Sequence, residues 1–397
     1  EQYAFLYGEA KAPEEKRPLF EHYVRSGQKL LRCGYTTGTC AALAAAGAVR
    51  LLLTGRPPDL VAIDTPKGWR VEVSLTQPQL GEGWAQCAVI KDGGDDIDAT
   101  HGLPIVARVV RQDGDTITIR GGEGVGRVTR PGLDQPVGEW AINRVPRQMI
   151  TQAVDRERKA LGCTDGFLVT ISVPGGEEAA QRTFNPHLGI EGGISILGTS
   201  GIVEPMSVQA LVDTMALELR QAALGSDGRL VLVPGNYGLD FLAQHDLIPE
   251  GIPVVRCSNF IGEALDQARL EGFREVLLVG HIGKLVKLAG GIMNTHSRWA
   301  DGRRELFCAH AALAGADRNT AQALMDCPTT DGCLEVLDQA RLREEVLSSL
   351  LEAIQGHLDR RFGPEGTVGA VLFSNQYGLL GLTPKGKELT DRWNNRN

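Results

Sequence analysis

The spacing of apolar and polar positions changes character about halfway along the chain. The longest apolar run, Cys40 to Leu53, is alanine-rich and broken only by Arg50, and predicts one buried core helix. Strand-like pieces follow at Leu60–Thr65, Arg70–Leu75, Trp84–Lys91, Ile105–Arg111 and Thr116–Arg120. Alternation in the last two predicts an antiparallel hairpin across Asp113-Gly114-Asp115. A helical stretch near Pro146–Leu161 and a strand at Gly166–Val173 complete an α+β half, preceded by a polar lead-in of about 30 residues.

In the second half, short apolar strands alternate with helices. Arg229–Val233, Pro253–Cys257, Glu275–Val279 and Val368–Phe373 each run into a polar, glycine-bearing turn. Helix-like segments are Ser207–Leu224, Glu263–Glu271, Arg304–Met325 and Cys333–Leu358. This order predicts a parallel sheet wound with helices, with ligands at the carboxyl ends of its strands. The fold class expected is an α+β N-terminal domain, 1–195, followed by a Rossmann-like α/β C-terminal domain, 196–397, with a mainly parallel sheet wound by helices.

Bulk properties narrow the function. The 397 residues suffice for two or three domains, and 42% hydrophobic with 23% charged content is ordinary for a soluble protein. A formal net charge of -8 without a long basic run speaks against nucleic acid. The apolar run is shorter than the roughly 20 residues of a membrane span. No signal-peptide pattern is visible in a chain that lacks an initiator Met. Eight cysteines are scattered with no Cys-x-x-Cys, so no metal site is expected, and they read as reduced, mostly buried thiols of a cytoplasmic protein.

Candidate chemistry falls in four places. Gly34-Tyr35-Thr36-Thr37-Gly38-Thr39 leads into the apolar helix, where unpaired N–H groups and the dipole favour an anion. No lysine follows, so it is not a nucleotide phosphate loop. A carboxylate or phosphate site and a simple capped helix both remain open. The Lys91–Gly102 loop is acidic but lacks calcium-loop spacing; it reads as a pocket-shaping loop or a source of a proton-handling group at Asp95, Asp96 or His101. The strand-end turns Gly235-Asn236-Tyr237-Gly238 and Ser258-Asn259 are compatible with a nucleoside. Finally, Gly280-His281-Ile282-Gly283-Lys284 and Asn294-Thr295-His296-Ser297-Arg298 concentrate cations and glycines in a way that suits an acidic substrate.

Taken together, and in this order, Gly34–Ala42, Asp92–Gly102, Pro234–Gly238, Ser258–Gly262, Gly280–Gly291 and Asn294–Ser297 resemble the cobalt-precorrin-5B C1-methyltransferase family of anaerobic cobalamin biosynthesis. The resemblance runs from about residue 30 to 385; Ile97 stands where the family is expected to carry proline, and residues after about 305 contribute little. It implies S-adenosylmethionine as cofactor and a small-molecule cobalt-tetrapyrrole as substrate, methylated at C1, with no nucleic acid or membrane partner; a homo-oligomer is compatible. Cofactor contacts are expected from Gly235, Asn236, Tyr237, Gly238, Ser258, Asn259, Gly280 and Gly283. Substrate contacts are expected from Thr36, Thr37, Gly38, Thr39, Asp96, Lys284, Asn294, Thr295, Ser297 and Arg298. His281, His296, Asp95 and His101 are candidates for acid–base work. The competing readings are a nicotinamide-dependent reductase of an acidic tetrapyrrole, disfavoured by the missing Gly-x-Gly-x-x-Gly and ribose acid, and a non-catalytic corrinoid-binding protein.

Overall fold

The computed structural model describes residues 20–26 and 28–395; most of the polar lead-in lies outside them. The chain divides into two compact units, 1–207 and 208–397.

In the first unit, helices α1 (Thr37–Thr54) and α2 (Arg144–Ala160) pack together on one face of a five-stranded sheet. Its strands are β1 (Thr76–Gly81), β2 (Trp84–Ile90), β3 (Pro104–Gln112), β4 (Ile117–Gly121) and β5 (Gly166–Ser172), in the order β1-β2-β3-β5-β4. α1 starts where extended Thr36 caps it, the hydroxyl accepting the Thr39 N–H at 3.2 Å. It stops at left-handed Gly55, φ 74°, whose N–H returns to the Leu51 carbonyl. Its alanines let the sheet come close. Among the described residues it alone has the length and hydropathy of a membrane span, yet 78% of it is buried, which makes it a core helix. The sheet's other face is polar: Gln86, Arg108, Thr170 and Arg120 lie in cross-strand register, with Arg108 4.0 Å over the Trp84 ring.

The expected hairpin between β3 and β4 does not form. β5 inserts between them, antiparallel to β3 and parallel to β4. Phe167, Val169 and Ile171 of β5 are fully buried, and a central position covers them better than the edge would. Residues 195–203 belong to this unit, because Ile202–Val203 pairs with Gly34–Tyr35.

The second unit holds β6 (Arg229–Val233), β7 (Val254–Arg256), β8 (Glu275–His281), β9 (Thr367–Ser374) and β10 (Gly378–Leu382), ordered β7-β6-β8-β9-β10. The first three pairings are parallel, and β10 is an antiparallel edge. Alternation splits the side chains between two cores. Leu230, Leu232, Val276 and Leu278 face one side, with α3 (Val208–Ala223), α5 (Ile261–Leu270) and the long helix Arg343–Phe362. Val231, Val233, Leu277 and Val279 face the other, with α4 (Asn236–Gln244) and the C-terminal helix Pro384–Asn394. The two long helices expected after residue 300 are each broken. Gly315 (φ 85°) and the Asp317 cap separate Arg303–Leu313 from Arg318–Asp326, and Arg341 (φ 58°) separates Thr330–Ala340 from the long helix.

Gly34 is a test of the first unit's packing. A side chain there would meet the backbone of Asp92, Gly93 and Gly94. Gly34→Ala is expected to lower folding stability by about 2 kcal/mol in a denaturant melt, and an unchanged midpoint would contradict the close approach.

Candidate functional site

The parallel strands deliver polar segments to the carboxyl edge of the second sheet. β6 runs into Pro234-Gly235 and α4; β7 into Cys257–Phe260 and α5; β8 ends on His281, and β9 on Ser374. After β7 the chain returns across β6 to lay down β8, so strand order reverses between β6 and β8. Connections leave that point in opposite directions, and the gap is where ligands bind in sheets of this kind.

The Lys284 ammonium spans the gap, donating to the Pro234 carbonyl at 2.8 Å, and burial pushes its pKa down. Burial also pushes the Cys257 thiol up to about 12, so it stays protonated. His281 accepts the Gly283 N–H on Nδ1 at 3.0 Å, capping a single turn at 282–285. It sits edge-on to Phe373 at 5.8 Å and 6.3 Å from the Tyr237 ring. Burial lowers the His281 pKa, with Asp331 working against it.

The expected cofactor residues separate by role. Gly235 has open space where a side chain would be, and Asn236 and Tyr237 are exposed, Tyr237 at 64%. Gly238 and Gly280 are packing glycines: a side chain would press within 2.9 Å of the Val279 carbonyl or 3.0 Å of Leu285. A side chain on Gly283 would sit 3.1 Å from His281 Nδ1. Ser258 is exposed and left-handed, φ 52°, and Asn259 accepts the Thr295 hydroxyl at 3.2 Å.

The Asn294–Arg298 loop is folded on itself. Asn294 accepts the His296 N–H, His296 Nδ1 accepts the Arg298 N–H at 3.0 Å, and His296, Ser297 and Arg298 are exposed. Lys287, which sequence reasoning passed over, anchors it: the buried ammonium donates to the Thr295 and Ala300 carbonyls at 3.0 and 2.9 Å. Two further residues were missed. The buried Ser374 hydroxyl donates to Asp331 at 2.7 Å and accepts the Gln376 N–H. Asp331 lies in the first turn of helix Thr330–Ala340, and no local signal in the sequence ties it to His281, 50 residues earlier.

In the first unit, all three threonine hydroxyls of the Gly34–Thr39 turn are buried and internally paired. Thr37 donates to the Ser195 and Leu197 carbonyls and accepts the Leu197 N–H; Thr39 donates to Gly201 at 2.6 Å; Thr36 caps the helix. The Gly38 N–H goes to the Leu197 carbonyl at 3.0 Å. The three hydroxyls and the Gly38 N–H are thus all engaged within the protein. The acidic loop is equally engaged. Asp92 pairs with Arg32 through two hydrogen bonds of 2.6 and 2.8 Å, and buried Lys91 pairs with Asp98 at 2.5 Å. Asp95 accepts the Arg32 N–H, Asp96 the Met206 N–H, and His101 Nδ1 the Gly93 N–H. Among the described residues, no group of three His, Cys, Asp or Glu is arranged to hold a metal ion.

An adenosyl sulfonium ligand suits the residues at the second sheet's edge. Tyr237 offers a ring face, Ser258 and Asn259 polar groups for a ribose, Asp331 a carboxylate for an ammonium, and Gly235 room for close approach.

His281 gives a pH test. The unfolded chain takes up a proton near pH 6.5 that the half-buried ring resists, so stability is whole above that pH and falls as pH drops toward the lower folded value. His281→Asn keeps an acceptor for the Gly283 N–H and cannot titrate. Its melting temperature is expected to fall less than the wild type's between about pH 7.5 and 5.5; parallel curves would contradict this.

Comparison with known proteins identifies the family. The CbiD family matches residues 24–205, and the CbiD C-terminal domain matches 294–384. The Cobalt-precorrin-5B C(1)-methyltransferase of Alkaliphilus metalliredigens is 42% identical over 367 residues, 91% of this chain and 94% of that protein. Those of a Thermoanaerobacter species and Ruminiclostridium cellulolyticum are 49% and 46% identical, over 80% and 89% of this chain and 85% and 92% of theirs. The crystal structure of the cobalamin biosynthesis protein cbiD from Archaeoglobus fulgidus is 32% identical, covering 70% of this chain and 86% of that one, with a TM-score of 0.38. The chain belongs to the cobalt-precorrin-5B C(1)-methyltransferase family.

Proposed function

We propose that this chain transfers a methyl group from S-adenosylmethionine to C1 of cobalt-precorrin-5B, a step of cobalamin biosynthesis, giving cobalt-precorrin-6A. The second unit holds the cofactor at the carboxyl edge of its sheet, and the first holds the tetrapyrrole. The observation that carries the cofactor assignment is the reversal of strand order between β6 and β8, with the open Gly235 turn at its rim.

When bound, S-adenosylmethionine supplies an electrophilic methyl group on a sulfonium. The remaining demand on the protein is alignment, with reacting atoms held at about 3–3.5 Å. Tyr237 and Asn236 stand at the rim, and Lys284 holds the Pro234 carbonyl so that the two turns keep their spacing. Of the four acid–base candidates, His281 and His296 belong to the second unit, and His281 ends β8 at this crevice.

The three candidate histidines share one property. His281, His296 and His101 each accept a backbone N–H on Nδ1, at 3.0, 3.0 and 3.1 Å. Each neutral ring therefore keeps its proton on Nε2 and offers a donor there rather than a base. We infer that His281 orients and donates a hydrogen bond, in keeping with a displacement that needs no nucleophilic side chain.

The direct test uses methyl-labelled S-adenosylmethionine and the cobalt-bearing substrate. Label at C1 of the product supports the reading. Tight binding of NADPH with none of S-adenosylmethionine would favour a reductase, and tetrapyrrole binding without transfer a carrier. For the cofactor site, exposed Tyr237→Ala is expected to weaken S-adenosylhomocysteine binding about tenfold by calorimetry, with an unchanged melting temperature. Unaltered affinity would remove Tyr237 from the site.

A further inference from the structure

The first unit carries an open surface groove of about 500 Å³ that none of the predicted residues line. Its floor is one face of the first turns of α2, where Arg144, Arg147, Gln148, Thr151 and Gln152 recur at helical spacing, flanked by Asp134 and Gln135. Asp134 is the single acid in that lining, against two arginines, and it accepts the backbone N–H of Arg144.

Neither arginine has a carboxylate partner among the described residues. Arg147 is half-buried and held by two neutral carbonyls, its Nε donating to Ile142 at 2.8 Å and one terminal nitrogen to Ile119 at 3.1 Å. Burial pulls its pKa down, while Glu139 and Asp134 act from a distance to hold it up. Elsewhere in this unit cations withdrawn from water are paired: half-buried Arg32 with Asp92, and buried Lys91 with Asp98. A half-buried guanidinium fixed by carbonyls, with a second arginine one turn away and three amide side chains around it, lacks only an anion.

The groove is tied to the turn that opens α1. A side chain on Gly38 would press within 2.8 Å of Pro146, which lies between the two arginines. The Asn143 N–H bonds to the Ile196 carbonyl, beside the Leu197 carbonyl that receives the Gly38 N–H. The buried turn thus fixes the start of α2 and, through it, both arginines.

We propose that this groove is a carboxylate subsite for a side chain of the macrocyclic substrate, with Arg144 and Arg147 as its cations. This rests on the reading that the first unit holds a tetrapyrrole. Such a ligand carries several acetate and propionate arms, and paired arginines hold a planar carboxylate better than a point charge would.

The test is a fluorescence titration of the full chain with uroporphyrin, an octacarboxylate tetrapyrrole, at low salt. Arg144→Glu is the main variant, since its side chain is exposed and makes no hydrogen bond or ion pair among the described residues; Gln148→Glu places a carboxylate on the same face with half that change in charge. Both are expected to bind the porphyrin at least about tenfold more weakly than wild type, with the gap narrowing at high salt. Lys29→Glu, an exposed change of equal charge elsewhere, is expected to bind like wild type. Wild-type affinity in both groove variants would overturn the subsite and leave the tetrapyrrole reading standing. Equal weakening by Lys29→Glu would overturn it as a general charge effect. Citrate displacing the porphyrin at equal concentration would overturn it in favour of a free small carboxylate. A wild-type protein that does not bind the porphyrin would count against the tetrapyrrole reading itself, and the subsite with it.

Discussion

A parallel sheet buried on both faces confines polar chemistry to its edges, and the second unit is organised by that constraint. Leu230, Leu232, Val276 and Leu278 fill one core, and Val231, Val233, Leu277 and Val279 the other, so neither face has room for a polar ligand. Hydrogen-bonding groups are left at the strand ends, and the reversal of strand order sets β6 and β8 apart as the place with space between connections. The rest follows from holding that gap at fixed width. The Lys284 ammonium bridges it to the Pro234 carbonyl, His281 caps its own turn, and Phe373 and Phe241, stacked at 4.1 Å, support His281 from below. Desolvation at the same place lowers the pKa values of both Lys284 and His281, because the groups that keep the turns in place are partly withdrawn from water.

The first unit solves a different problem with similar means. Its central helix is made of alanines and glycines so that sheet and helix can approach, which leaves the helix start buried and its first N–H groups in need of partners. Thr36 accepts the Thr39 N–H, the Leu197 carbonyl takes the Gly38 N–H, and Thr37 and Thr39 tie residues 195–201 to the helix. The turn is a structural node. Its neighbours, Pro146 on one side and the Asp92–Gly94 backbone on the other, are placed by glycines that admit no side chain.

Much of this was legible in the sequence. The four apolar strands of the second half, each ending in glycine and a polar residue, are visible because a fully buried parallel strand reads as a short hydrophobic run. The alanine-rich helix is visible for the same reason. What could not be read depends on contacts between distant residues. β5 separates β3 from β4 because of where Phe167, Val169 and Ile171 find cover, and nothing in the Asp113–Asp115 turn foretells it. A capped helix start and an anion site use the same residue types, so the Gly34–Thr39 turn reads as either; the partners of its hydroxyls at 195–201 are visible only in the structure. Asp331 and Ser374 meet at 2.7 Å from 43 positions apart. Lys287 resembles a surface lysine until the loop it anchors is folded over it. Family resemblance supplied the reaction, and geometry the ranking of residues within it.

The measurement that bears most directly on this account is a crystal structure of the full chain with S-adenosylhomocysteine bound. The account predicts the ligand at the carboxyl edge of the second sheet, against the Gly235 turn and the end of β8, with Tyr237 and Asp331 in contact. A ligand bound in the first unit, or on the second unit away from the β6–β8 gap, would contradict it.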